Sequence, residues 1–217
     1  MSYSPPGLEP GQEQAMMMRS QRWVRDRFDE AVQPIARMSE TRANSRAGLA
    51  ADIAISGALL FEGLRRAHAH PVAALVTILF GVLLFSLIEY CFHRWLFHGP
   101  VPLMEQGHRK HHDDPLGFDS LPFFLPPVVI LLLTGLFALL MPASYAMLLT
   151  GGVAAGYAVY GLSHGVIHST RFRHPLSRRW AASHHIHHYH PDRNFGVTTP
   201  LWDILLGTRH GSDRDPS

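Results

Sequence analysis

Cysteine is almost missing from this 217-residue chain: Cys91 stands alone. One thiol excludes an internal disulfide and every multi-cysteine zinc site. Lysine is as scarce, Lys110 being the only one among nineteen basic residues. The arginines are scattered, no aromatic–basic stripe accompanies them and the net charge is only +2, so no nucleic-acid partner is expected. Also missing are the H-E-x-x-H of a zinc protease, a G-x-S-x-G elbow and a glycine-rich nucleotide loop. Charge itself is missing over long stretches. Pro71 to Phe92, Pro122 to Met141 and Ala143 to Ser163 contain a single formal charge, Glu89. Each is about as long as the roughly 20 residues that carry a helix across a bilayer.

Gly48 to Leu64 is a shorter candidate that carries Asp52 and Glu62. It reads as a fourth span or as an interfacial or core helix. Both charges lie near the segment's ends, where they cost less than the roughly 2.5–3.5 kcal/mol of a bilayer centre. Residues 1–47 form a polar, arginine-bearing arm without the apolar core of a signal peptide. Within it Gln14 to Ile35 reads either as an amphipathic surface helix, with Trp23, Val24, Phe28, Val32 and Ile35 on one face, or as a solvated tail. Residues 211–217 are a second short tail. The fold class expected for residues 48–210 is all-α: an integral membrane bundle of about four transmembrane helices under a cytosolic, helical, histidine-rich metal-binding cap.

What the chain has in abundance is histidine, sixteen in all. Ten fall into four spaced clusters: His93 and His98; His108, His111 and His112; His164 and His168; His184, His187 and His188. Imidazole is the commonest metal ligand, and ten exceed what one ion can take, so a binuclear centre is expected. Positions i, i+3 and i+4 share a helix face, so each triplet is expected to converge on one point, as are His164 and His168. His93 and His98, five apart, share no face of a straight helix, and unwinding near His98 is expected before Gly99-Pro100. His185 points away from its neighbours, and it and His190 read as outer or surface residues. His68, His70, His174 and His210 read as solvated.

The clusters follow the spans that end near Phe92 and Ser163, with a two-span hairpin between them, so all four reach one membrane face. If Gly48 to Leu64 spans, the arginine-bearing arm lies on that face too, and the positive-inside bias makes it cytoplasmic. Arg65 and Arg66 then fall on the far side, against the bias. Glu89, one turn before His93, is expected to orient a ligand histidine. Asp113 and Asp114 read as outer partners or as a solvated turn. Transporters place ligands near the middle of their spans; these clusters sit at span ends, which favours an enzyme over a non-catalytic histidine-rich metal-binding membrane protein.

The histidine set, together with Glu89-Tyr90 before His93-Arg94-Trp95-Leu96-Phe97-His98, resembles the fatty acid hydroxylase and sterol desaturase superfamily. So does the run from Asn194 to Asp203 that ends Leu206-Gly207-Thr208, which is closest to the F-G-V-T and W-D segments of fatty acid 2-hydroxylases. The resemblance spans about residues 71–210. The gap between His98 and His108 is shorter than in the fungal and animal enzymes. Carotenoid hydroxylases have H-x4-H where this chain has His164-x3-His168.

The resemblance implies a non-haem di-iron oxygenase, with zinc possible in purified protein, that uses O2 to hydroxylate or desaturate a lipid. A fatty acyl chain fits best, with a carotenoid or sterol-like lipid as the alternative. All ten clustered histidines are implied as ligands and catalytic residues, with Glu89, His185 and Asp203 around them. Electrons are expected from a cytochrome b5-like protein, a ferredoxin or a reductase. The membrane would be the plasma or inner membrane of a bacterium, or the endoplasmic reticulum of a eukaryote.

Topology is testable at this stage. With Cys91 replaced by serine, single cysteines at Ser2 and Ser212 are expected to react with an impermeant maleimide from the same, cytoplasmic side. Labelling from opposite sides would refute an even number of spans.

Overall fold

Thr41 starts the first long helix. Its backbone is extended (φ −99°, ψ 143°) and its hydroxyl accepts from the Asn44 amide at 3.1 Å, satisfying one of the free N–H groups of the helix start. In the computed structural model, which describes residues 37–210 except 119 and isolated positions between 16 and 35, the chain is all-helical among the described residues. The elements are α1 (Arg42–Arg66), α2 (Pro71–Phe92) continuing through a π-helical turn (His93–Phe97), α3 (Pro102–Asp113), α4 (Leu125–Ala138), α5 (Ala143–Ser169), α6 (Pro175–Tyr189) and α7 (Leu201–Leu205). Pro71, Pro102 and Pro175 each open a helix, where the missing N–H costs nothing and the fixed φ suits the first turn. The surface helix considered for Gln14 to Ile35 lies largely outside the described residues, as does the 211–217 tail.

Helix α5 is the axis of the bundle, with α1, α2 and α4 packed along it. At Gly152 a Cβ atom would meet the Ile78 carbonyl of α2 at 2.5 Å, so the two backbones touch where only glycine fits. Close backbone approach over small residues is how helices associate in lipid, where hydrophobicity gives no drive between them. Polar links add to it. The Ser56 hydroxyl of α1 donates to the Gly151 carbonyl at 3.0 Å, and the Thr134 and Thr150 hydroxyls join α4 to α5 at 2.7 Å. The opposite side of α2 (Val72, Leu75, Val76, Leu79, Phe80) is more than half exposed, an apolar stripe suited to lipid contact.

Among the described residues, three helices are long and apolar enough to cross a membrane: Arg42–Arg66, Pro71–Phe97 and Ala143–Ser169. The doubtful segment is therefore one of the longest, beginning at Arg42 rather than Gly48. Its charges are managed. Asp52 is buried against the bundle, and Glu62 holds Arg65 and Arg66 at 2.7 and 2.5 Å, so the two discordant arginines share one carboxylate. The expected span Pro122 to Met141 is corrected: only Leu125–Ala138 is helical. Phe123–Phe124 and Leu139–Leu140 are turns beside the flanking prolines, and 14 residues reach about 21 Å against a hydrocarbon core of about 30 Å. The hairpin returns through a short arm and a long one. The long one, α5, continues past Ser163 to Ser169 and carries His164 and His168 on its last turns.

The cap lies over the ends of α2 and α5. Asn44 ties it to α1, since its side-chain amide donates to Ser120 Oγ (3.0 Å) and the Leu121 carbonyl (2.9 Å) and accepts from the Phe123 amide (2.9 Å). Gly152→Ala is expected to cost about 1–3 kcal/mol through overpacking and to lower the melting midpoint in detergent by roughly 3–10 °C. Gly135→Ala, where an added Cβ meets nothing, is the control. Equal midpoints would show that the α2–α5 contact does not limit stability.

Candidate metal centre

His93 and His98 are brought to one face by the backbone itself. In the π-helical turn the His98 amide donates to the His93 carbonyl (3.3 Å), an i to i+5 bond that widens the helix and aligns residues five apart. The two rings stack with centroids 5.3 Å apart. Unwinding was expected near His98; a π turn is the form it takes.

Each histidine triplet divides. His93, His98, His108, His112 and His187 form one group of candidate ligands, and His111, His164, His168 and His184 form a second, the ligand atoms of each group lying within 4.8 Å of one another. Convergence of each triplet on one point is thus corrected. On α3, His108 and His112 face the first group and His111 the second; on α6, His184 faces the second and His187 the first. At 100° per residue, i and i+4 stand about 40° apart while i+3 lies about 100° from i+4, enough to serve a neighbouring site. His188 lies between the groups, its Nε2 3.3 Å from that of His184 and its ring stacked 4.3 Å from His112.

The nitrogen spacings distinguish a metal site from a hydrogen-bond network. His108 Nε2 lies 3.0 Å from His93 Nε2, 2.9 Å from His98 Nε2 and 3.0 Å from His112 Nε2. A ring nitrogen carries one proton or one lone pair and cannot hydrogen-bond to three partners. Lone pairs converging at this distance repel unless a cation lies among them. Two ligands at right angles on an ion with bonds of about 2.1 Å are themselves about 3.0 Å apart. In the second group His168 Nε2 and His184 Nε2 are also 3.0 Å apart, and the buried His111 Nε2 has no hydrogen-bond partner.

Backbone carbonyls set the tautomers. His93 Nδ1 donates to the Phe195 carbonyl (2.5 Å) and His187 Nδ1 to the Arg193 carbonyl (2.7 Å), which leaves each Nε2 lone pair directed inward. Burial, reinforced by neighbouring imidazoles, pushes His98 down to about 4 and His187 and His188 to about 3, and holds His108, His111 and His184 far below the usual range. All six stay neutral, the form that ligates.

The carbonyls are placed by a loop that two buried carboxylates hold. Asp203, fully buried, accepts from the Phe195 and Gly196 amides (2.8 Å each) and from the Thr208 hydroxyl (2.7 Å). Glu89 accepts from the Val197 and Thr198 amides (2.6 and 3.0 Å) and the Thr198 hydroxyl (2.5 Å). It reaches the loop rather than His93 directly, and the loop in turn holds His93. Gly196 is required because a side chain there would strike the Thr199 carbonyl. Asn194, which sequence reasoning passed over, takes φ 54°, donates to the Ser183 carbonyl (3.1 Å) and accepts from the His210 amide (2.8 Å). An asparagine before Phe195-Gly196 was the available signal, since asparagine tolerates that conformation.

The remaining candidates lie outside both groups. His185 is exposed, donates to the Ile167 carbonyl (3.2 Å) and stacks on His168 (5.6 Å). His190 stacks on His210 (4.7 Å), and Asp113 and Asp114 are exposed.

The family model for fatty acid hydroxylase matches residues 78–208. Dihydroceramide fatty acyl 2-hydroxylase FAH2 of Arabidopsis thaliana is 33% identical over 61% of this chain and 60% of its own. Fatty acid 2-hydroxylase of Homo sapiens is 33% identical over 59% of this chain and 38% of its own. The chain thus spans between 38% and 60% of the length of these curated relatives. A solved structure of full-length scs7p, with only the hydroxylase domain visible, superposes with a TM-score of 0.70 at 25% identity, covering 86% of this chain and 72% of that one.

Folded protein is expected to hold two transition-metal ions per chain by elemental analysis. His187→Ala still inserts in the membrane but loses about one ion, and His185→Ala keeps both. One ion or none in the parent protein, or equal loss in the two variants, would refute this division of ligands.

Proposed function

The chain belongs to the fatty acid hydroxylase family, and from that premise we propose that it is a membrane-bound di-iron oxygenase that hydroxylates the acyl chain of a lipid at carbon 2. The observation that carries the metal half of this reading is the convergence of three imidazole nitrogens on His108 Nε2 at about 3 Å. The carbon position is supported by the relatives, which are named as 2-hydroxylases. In the overall reaction one atom of O2 enters a C–H bond and the other leaves as water, with two electrons and two protons supplied from outside.

Iron with O2 supplies the oxidising power that side chains lack; zinc, which has no redox chemistry, would fill the sites without supporting the reaction. Nine histidines in groups of five and four, with His188 between them, offer more donors than tetrahedral zinc takes and suit higher coordination. The chain's own part is to fix these imidazoles. Phe195 and Arg193 carbonyls hold His93 and His187 in the ligating tautomer, and the Glu89 and Asp203 carboxylates keep those carbonyls in place. The groups lie where the apolar helices end, so an acyl chain can approach from the bilayer while an external donor, a cytochrome b5-like protein, a ferredoxin or a reductase, approaches from the cytoplasm. The position at the ends of the helices also argues against a transport site, which needs ligands near the membrane midplane.

The test is iron-reconstituted protein in detergent with a reductant, 18O2 and an acyl lipid. A 2-hydroxy product carrying one 18O, with O2 uptake that depends on iron, is expected. Label arriving from water instead, or product formed equally by the zinc form, would sink the proposal.

A further inference from the structure

Arg94 stands beside the first group of histidines but does not belong to it. Its Nη1 donates to the Tyr90 hydroxyl at 2.8 Å, and its guanidinium lies over the rings of Trp95 (5.4 Å), Tyr90 (5.9 Å) and Phe195 (5.9 Å). Behind it, Tyr90 is fully buried; the Tyr90 and Thr208 hydroxyls are 2.9 Å apart, and Thr208 donates to Asp203 at 2.7 Å. The guanidinium is therefore held from the rear by a buried chain of hydrogen bonds that ends on the carboxylate pinning the 195–196 loop. Among the described residues no carboxylate lies within ion-pair distance of it. A guanidinium has five N–H donors, and one is accounted for by Tyr90.

A shallow, wide-mouthed cavity of about 430 Å³ lies in front of it, lined by Arg94, Trp95, His98, Pro191, Asp192 and Phe195. His98 belongs both to this wall and to the five-histidine group. The Phe195 ring is 5.9 Å from the Arg94 guanidinium carbon and 5.9 Å from the His98 ring, so one aromatic ring borders both the guanidinium and the metal group. A carbonyl oxygen bound by the guanidinium would lie on the wall that His98 shares. Asp192, on the same wall, keeps its carboxylate 3.3 Å from Arg193 Nε and is largely exposed. Asp192 is thus already paired and screened by solvent, and Arg94 is the uncompensated charge of the wall, with no carboxylate partner among the described residues.

We propose that this cavity receives the carbonyl end of an acyl lipid, and that Arg94 donates to the C1 oxygen and so sets hydroxylation at carbon 2. The inference rests on the hydroxylase reading above and deepens it by naming the group that measures the distance from C1. A planar fork suits this task better than a lysine, because it can bond to Tyr90 and the ligand together in fixed directions.

Two measurements on the full chain test it, both on protein shown by elemental analysis to hold two metal ions. The first is a titration with an N-acyl amide brominated near C2, read by quenching of Trp95 fluorescence, with Trp95→Phe isolating its share of the signal. Arg94→Gln is expected to need at least tenfold more ligand. The second is the positional distribution of hydroxylated product. Arg94→Gln is expected to raise KM at least tenfold with a smaller change in kcat and to spread oxygen onto C3 and C4. Arg94→Lys restores part of both, and Tyr90→Phe falls between.

Amide, ester and free-acid arms separate the ligand classes, and Arg94→Gln is expected to weaken whichever of them the parent binds. Pure C2 product with unchanged KM and unchanged quenching in Arg94→Gln overturns the proposal. Should Arg94→Gln fail to retain metal, the same readings on Arg94→Lys and Tyr90→Phe decide, and parent-like values in both overturn it. If the parent protein hydroxylates nothing, the hydroxylase reading fails, while the quenching titration still reports whether the cavity binds an acyl carbonyl.

Discussion

Imidazole nitrogens brought to about 3 Å of one another, in tautomers that aim lone pairs inward, repel. The arrangement around His108 Nε2, with three such neighbours, is stable only with positive charge among them or with a scaffold that withstands the repulsion. The surrounding structure supplies the scaffold. His93 and His187 are among the most buried side chains of the protein, and each is fixed through its outer nitrogen by a carbonyl of the 193–195 segment. That segment cannot move without breaking the bonds that Asp203 and Glu89 accept. Buried carboxylates are costly unless their lone pairs are filled. Each accepts three hydrogen bonds here, all from groups in one short stretch of chain.

The bundle below serves the same end. A set of nine or ten candidate ligands drawn from four helices tolerates little relative movement of those helices. The backbones of α2 and α5, which carry His93, His164 and His168, are in contact at Gly152 and Ile78, and that contact fixes their relative depth. The Thr134–Thr150 link and the Ser56–Gly151 bond fix α4 and α1 on the same axis. The polar links of the bundle therefore hold the groups above in register.

Much of this was legible in sequence, because helical spacing survives folding. Apolar runs located the helices, and the four histidine spacings marked the residues that the fold gathers. Three features were not legible for physical reasons. Convergence of i, i+3 and i+4 is a statement about one site, and it fails when two sites flank one helix face. That is why His111 and His187 cross to the other group. The π turn at His93–Phe97 depends on tertiary demand, and no propensity in His-Arg-Trp-Leu-Phe announces it. Glu89 shares a helix face with His93, so a direct contact was the natural expectation; its partners Val197 and Thr198 lie more than a hundred residues away and only the fold reveals them. Hydropathy likewise cannot see that turns at Phe123–Phe124 and Leu139–Leu140 shorten α4.

The crossing of the triplets has a mechanical consequence. α3 gives its outer pair to the first group and its middle residue to the second, and α6 gives His184 to the second and His187 to the first. A rotation of either helix that improved one group would draw a ligand away from the other. The two groups thus share a single optimum, set by the rotation of both helices together. The loop anchored by Asp203 and Glu89 meets the first group, through His93, His187 and the Phe195 ring beside His98. Because His187 shares α6 with His184 and His188, the same loop also constrains the second. One anchoring loop is enough for two groups because the cap helices are common to both.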